Sequence, residues 1–166
     1  DAEGLKACAR LKDGIDGLSV ERVWAELKRL LSAPDPSRAL LWMRQSGVLT
    51  KALPESEKWG IDSIHALMRA EADLNWDADP MLRLEAIVPP DAVRMQELAL
   101  RLRLSSAERD RFVDWASTLA VKPETSELDL ARTLYRGRRQ GIADRLRLAL
   151  VSARARAADD DKALVE

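Results

Sequence analysis

Apolar side chains recur at helical spacing along almost the whole chain, and proline, glycine and small polar residues cut the pattern into short pieces. The clearest passage is residues 18–55. Val23, Trp24, Leu27, Leu30 and Leu31 fall on one face of a helix. Ser19 is placed to accept from a free amide of its opening turn, and Glu21 lies near the positive end of its dipole. Asp35-Pro36 starts a second helix, with proline where its missing amide does no harm. Leu40, Leu41, Met43, Val48 and Leu49 supply the next buried face, Gly47 breaks it, and Pro54 stops a third short segment.

The pattern continues on both sides of that passage. Residues 3–13 make a first short helix. A Trp59-Gly60 turn leads to a helix over 62–74, with Ile64, Leu67, Met68 and Ala72 on one side. Asp79-Pro80 opens a helix carrying Met81, Leu82, Leu84, Ile87 and Val88. Pro89 and Pro90 close it and open another with Val93, Met95, Leu98, Leu100 and Leu102. Ser105 and Glu108 form a capping box, and the helix behind it buries Phe112, Val113, Trp115, Ala116 and Leu119 until Pro123 breaks it. Two last helices cover 126–138 and 142–157. No strand-like alternation of useful length occurs, and no repeat period is visible. The predicted fold is all-α, a compact bundle of about nine or ten short helices joined by brief loops, with its least compact joint near residues 76–80.

Composition agrees with a globular chain: 46% of residues are apolar and 33% charged. No apolar run approaches the roughly 18 residues of a membrane span, so no membrane role is expected. Cys8 is the single cysteine, which excludes an internal disulfide and points to a reducing cytoplasm. Its neighbours Leu5, Ala9 and Leu11 suggest a buried or half-buried thiol. His65 is the single histidine and reads as structural or superficial; with Cys8 it leaves the chain short of a His/Cys zinc site or a histidine-built phosphohydrolase centre. The overall charge of −1 hides an uneven distribution. Residues 132–156 hold eight arginines against Asp144, a net +7, and the acidic tail beyond them carries −3. Arginine binds phosphate in a planar, two-pronged way.

Several of these phrases carry a family likeness. ERVWAELKRLL, then P-S-R-A-L, then a glycine followed by V-L and a terminal L-P-E, resembles the neck-to-body region of bacterial CCA-adding tRNA nucleotidyltransferases and the related poly(A) polymerases. RLEAIVPP, ELALRLRLSSAERDRFVDWA and DLARTLYRGRR are similar to the family's body-domain phrases. The resemblance divides the chain into a neck-like region, 1–56, and a body-like domain, 57–166, packed closely together. It implies a full-length parent that adds nucleotides to tRNA 3′ ends with Mg2+ and ATP or CTP.

The catalytic parts of that parent are missing from this sequence. The family's head domain has a Gly-rich triphosphate loop, a D-x-D pair for two magnesium ions and an E-D-x-x-R helix. Here Asp77-Ala-Asp79 is formally D-x-D, but it precedes Pro80 at a helix start and reads as a cap. The acidic run 159–161 reads as solvated charge. The expected object is therefore a piece of the parent, without catalytic or metal-binding residues or cofactor of its own, that supports the head domain and holds tRNA. With the head absent, the neck would expose apolar surface, and a dimer of the piece is unsurprising.

Residue by residue, Glu21 and Arg22 match the neck-helix E-R that buttresses the nucleotide pocket; an acid in a first turn beside an exposed arginine explains them equally. Arg38 matches the P-x-R-A-L arginine and is read as holding helix ends together. Arg132, Arg136, Arg138 and Arg139 are the expected RNA-binding residues, with 132, 136 and 139 near one helix face. Their phosphate contacts would be salt-dependent and blind to sequence, as recognition of A-form RNA by shape requires. The competing reading is a solvated face paired to Glu124, Glu127 or Asp129. Four of the five tryptophans sit in apolar pattern and read as core, with Trp59 the exception. The alternatives to the family reading are a stand-alone helical module that binds a protein through a groove and a sequence-independent nucleic-acid-binding bundle.

Overall fold

The molecule is organised around one short helix that meets almost no solvent. Every residue from Met81 to Val88 is buried in the computed structural model, which describes residues 2–59, 62–120, 125–136 and 139–163. That helix, α6 (Pro80–Ala86), follows α1 (Ala2–Leu11), α2 (Val20–Leu31), α3 (Ser37–Gln45), α4 (Val48–Ala52) and α5 (Asp62–Leu74). Behind it come α7 (Ala92–Arg101), α8 (Ser106–Ser117), α9 (Glu127–Arg136) and α10 (Arg139–Ala163). Two 3-10 turns, Lys12–Gly17 and Pro54–Ser56, complete the described elements, among which there is no strand. The expected all-α bundle is thus present, with ten α-helices among the described residues, although α10 is long, at 25 residues.

Packing follows the apolar stripes. Helices α2, α5 and α8 lie against α6; α7 and α10 flank α8, and α10 reaches back to α5. Helix α3 packs on α4 and α5. One continuous core runs from Trp24, Leu27 and Leu31 through Leu40, Leu49, Leu53, Ile64 and Leu67 to Phe112, Trp115 and Val151. It crosses residue 56 without interruption. Each such leucine taken fully out of water contributes about 1.5–3 kcal/mol.

Local chemistry fixes the starts and stops. The Ser19 hydroxyl accepts from the Arg22 amide at 3.4 Å. The Asp79 carboxylate accepts from Met81 and Leu82 at 3.0 and 3.3 Å, and Asp91 accepts from Arg94 at 3.1 Å. Both halves of the Ser105/Glu108 capping box are formed. Gly47 takes φ +77 between α3 and α4, a left-handed conformation that disfavours any side chain. Gly60 and Pro123, read as breakers, lie outside the described residues.

Several expected core positions turn outward. Val93 and Leu100 are exposed because α7 is covered along the Met95, Leu98, Ala99 and Leu102 stripe alone. Leu119 is exposed because the chain has already left α8 in an extended conformation at Thr118. Ala72 is exposed while its neighbour Glu71 is buried, the stripe of α5 being rotated to meet a charge on α6. Trp42 is 41% exposed, at the edge of the molecule, and the Arg38 guanidinium sits 4.6 Å over its ring. Cys8 is exposed, since α1 packs chiefly on the 3-10 turn at its C-terminal end. His65 is exposed as well.

Candidate nucleic-acid interface

Helix α9 buries none of its described side chains, and α10 is its principal partner. Ser126 starts it by accepting from the Asp129 amide at 3.1 Å. Its described surface carries Arg132, Leu128, Leu134 and Tyr135, the last 91% exposed. Arg139 opens α10 and is also exposed. An exposed tyrosine between two arginines joins a stacking surface to positive charge, a combination suited to single-stranded or looped nucleic acid. Arg136 closes α9 with its side chain outside the described set, and Arg138 lies outside the described residues altogether.

The arginine-rich stretch is not one uniform basic face. Arg132 donates to Asp129 at 3.2 Å. Arg147 sits 5.4 Å over the Trp76 ring, and Arg154 pairs with Asp73 at 2.6 Å. Arg145 turns inward against Trp115. A 3.6-residue period forces this division, because arginines spread over the described turns of two helices cannot all share one side.

Glu21 and Arg22 stand exposed on the first turn of α2. Glu21 pairs with Arg103, and its own backbone amide together with that guanidinium holds its carboxyl below the ordinary glutamate range. Arg22 lines an apolar cavity of about 320 Å³ with Ile15, Leu18, Val23 and Leu30. These two residues belong to a helix that packs on α6, whereas α9 packs on α10.

Charged contacts tie residues 1–56 to the rest of the described chain. Lys28 reaches Glu108 at 2.6 Å, Arg101 reaches Glu55 at 2.8 Å, and Arg103 reaches Glu21. A further one is buried. Arg83 of α6 pairs with Glu71 at 2.6 Å and donates to the carbonyls of Leu31 at 2.7 Å, Ala33 and Pro34. It places a cation at the carbonyl end of α2, where the helix dipole favours one. The sequence signal for it is slight: one arginine in a proline-bounded apolar helix.

A second charged knot lies at the other end of α6. Arg111 of α8 bridges Asp79, at 2.5 Å, and Asp144, at 2.7 Å. Burial pushes Asp79 up, but Arg111 and the two cap amides outweigh it and hold the carboxyl below its ordinary value. Asp144 moves the other way, raised by burial despite Arg111. An aspartate committed to a helix cap and a guanidinium does not fit a magnesium site. Among the described residues no group of three or more His, Cys, Asp or Glu is arranged to hold a metal ion.

A family described as the probable RNA and SrmB-binding site of polymerase A matches residues 1–59. A multifunctional CCA protein of Verminephrobacter eiseniae is 39% identical over 99 residues, covering 57% of this chain and 23% of the relative. One from Paraburkholderia phytofirmans is 31% identical over 96 residues, 58% of this chain and 22% of its own length. Over residues 1–59 the chain matches that RNA-binding family, and it is similar to these multifunctional CCA proteins. It spans under a quarter of the length of these relatives. No solved structure matches it. The family-matched segment 1–59 supplies α1 to α4 and the carbonyls that Arg83 holds.

A buried carboxyl of α6 has no hydrogen-bond partner. Glu85 is 1% exposed, and neither carboxylate oxygen accepts a hydrogen bond. Burial, then Asp144, pushes its carboxyl well above the ordinary value. The folded state therefore holds this proton more tightly than the unfolded chain. The group's stabilising contribution is full below the unfolded value and is lost as pH rises through the folded one. Glu85→Leu is expected to raise stability at neutral pH by about 1 kcal/mol or more. Thermal melts should show that gain shrinking toward acidic pH.

Proposed function

We propose that this region holds RNA, tRNA first among its substrates, for a nucleotidyltransferase whose catalytic head carries the Mg2+ and ATP or CTP chemistry. The reading is carried by the family match over residues 1–59, described as an RNA-binding site. The matched relatives are multifunctional CCA proteins, which supports tRNA as the RNA. The exposed Arg132, Tyr135 and Arg139 make α9 and the start of α10 the proposed RNA contact, joined by Arg136 and Arg138 from the same stretch. Glu21 and Arg22, beside an apolar cavity on α2, are proposed to support the head and its nucleotide pocket. The region works as a neck unit, 1–56, and a body unit, 57–166, held together by the Arg83 and Arg101 contacts. No helix among the described residues is long and apolar enough to cross a membrane, and a cytoplasmic role in tRNA processing follows from the same reading.

The test is tRNA binding at several salt concentrations. The double variant Arg132→Ala/Arg139→Ala should weaken binding several-fold at low salt. It should also reduce the slope of log affinity against log salt by about one for each phosphate that is no longer neutralised. An unchanged slope would remove α9 from the RNA contact.

A further inference from the structure

The unpartnered Glu85 carboxyl does not stand alone. It lines a cavity of about 300 Å³ bounded by α5, α6, α8 and α10, together with Trp59, Trp115, Arg145 and Leu148. Three of these residues have buried polar atoms without a hydrogen bond: both oxygens of Glu85, Nε1 of Trp115 and Nε of Arg145. Glu85, Ala86, Trp115 and Val151 form the buried floor, and Trp59, Ala120 and Ser152 stand exposed at the rim. Glu85 and Arg145 both line the cavity and feel each other's charge without forming an ion pair. Native proteins rarely leave this many buried polar atoms unpaired in one place.

Charge and donor count narrow the occupant. An amine would face the Arg145 guanidinium, and a phosphate, which only accepts, would leave the carbonyl oxygen of a protonated Glu85 without a donor; neither matches the whole lining. A neutral, polar, flat molecule does. The indole N–H and the Arg145 Nε–H need acceptors, and a protonated carboxyl offers one donor beside one acceptor. Nucleobases carry an adjacent donor and acceptor on one edge and further acceptors elsewhere on the ring. Trp59 at the mouth and the Arg145 guanidinium supply the kind of surface on which unstacked bases rest. The volume is at the small end for ligand pockets and suits one ring system, not a whole nucleotide.

We propose that this cavity takes one unpaired nucleobase from RNA held on the body, with Glu85, Trp115 and Arg145 reading its edges and Trp59 closing over its face. The inference rests on the RNA-holding reading above but uses a different surface. The groups that set the ionisation of Glu85 are Asp144 and Arg145 of α10, Arg111 of α8 and Asp79 at the start of α6. A neutral carboxyl matches a donor–acceptor edge, and an ionised one loses its donor. Binding should therefore weaken as pH rises and Glu85 ionises.

Nucleosides test the cavity apart from the arginine face, because they carry no phosphate. Adenosine and cytidine should each shift the Trp115 indole N–H resonance, assigned with Trp115→Phe, while ribose and inorganic phosphate should not. Glu85→Leu should weaken nucleoside binding at least about tenfold. Glu85→Gln keeps a donor and an acceptor at every pH, so it should retain binding and abolish the pH dependence. No shift at Trp115 with either nucleoside at millimolar concentration would overturn the proposal, as would equal binding by the Glu85→Leu variant. tRNA binding that survives either result leaves the RNA-holding reading standing. Loss of tRNA binding in the arginine variant with nucleoside binding intact separates the two in the other direction.

Discussion

Replacing Arg83 by methionine is expected to cost about 3–5 kcal/mol, the largest single-residue effect on this protein. The side chain is 2% exposed and its partner Glu71 7%. Methionine matches much of its length but leaves the Glu71 carboxylate buried without a cation. It also leaves the Leu31, Ala33 and Pro34 carbonyls short of donors at the end of α2. Domains of this size have about 5–15 kcal/mol in total, so the variant should sit near its unfolding threshold at physiological temperature. Denaturant titration would measure the loss. The double variant Arg83→Met/Glu71→Leu, which removes both charges, should recover much of it, because the penalty lies in the charge left behind. If the single variant melts like the parent, the buried pair is not what joins α2, α5 and α6.

Gly141→Val should cost upward of about 3 kcal/mol, and Gly141→Ala somewhat less. A Cβ at Gly141 would stand 2.7 Å from the Asp114 carbonyl carbon and 2.7 Å from the Trp115 amide nitrogen. Both are backbone atoms of α8, so neither can swing aside. Helix propensity alone favours alanine over glycine by about 1 kcal/mol in the interior of α10. The clash wins, because relieving it means lifting α10 off α8 along their shared face. Asp144 and Arg145 lie one turn further along the same helix, so the displacement would also loosen the Arg111 bridge and widen the cavity beneath Glu85. Calorimetry on both variants gives the size of the effect. A stability rise in Gly141→Ala would mean that propensity, not the close approach, governs this position.

The two cases mark the border between what sequence and tertiary structure decide. Helix boundaries were legible because they rest on neighbours: Ser19, Asp79 and the Ser105/Glu108 box cap amides within three residues. The buried stripes of α2, α6 and α8 were legible because a 3.6-residue period repeats within each helix. The family likeness was legible for the same reason, in ordered phrases with their own caps. Gly141 was not, and neither was the unbroken length of α10. A glycine inside a helical pattern looks like a break until another helix is seen crossing it.

The basic stretch, residues 132–156, shows the same limit from the functional side. Its net charge was plain from the sequence. Its division into exposed Arg132 and Arg139, an inward Arg145, and Arg147 and Arg154 paired to other parts of the fold depends on which neighbour each turn of α10 meets. Arg83 and Glu85 stand two residues apart on one apolar helix and look alike as text. One meets Glu71 and three carbonyls; the other meets a cavity. Sequence by itself determined the all-α class, the capped helix starts and the family likeness, since these depend on short-range periodicity and capping. Only the tertiary structure decided which charges are satisfied, which are left open and where a ligand could enter. Those outcomes arise from residues tens of positions apart in the chain being brought within a hydrogen bond of each other, or held just short of one.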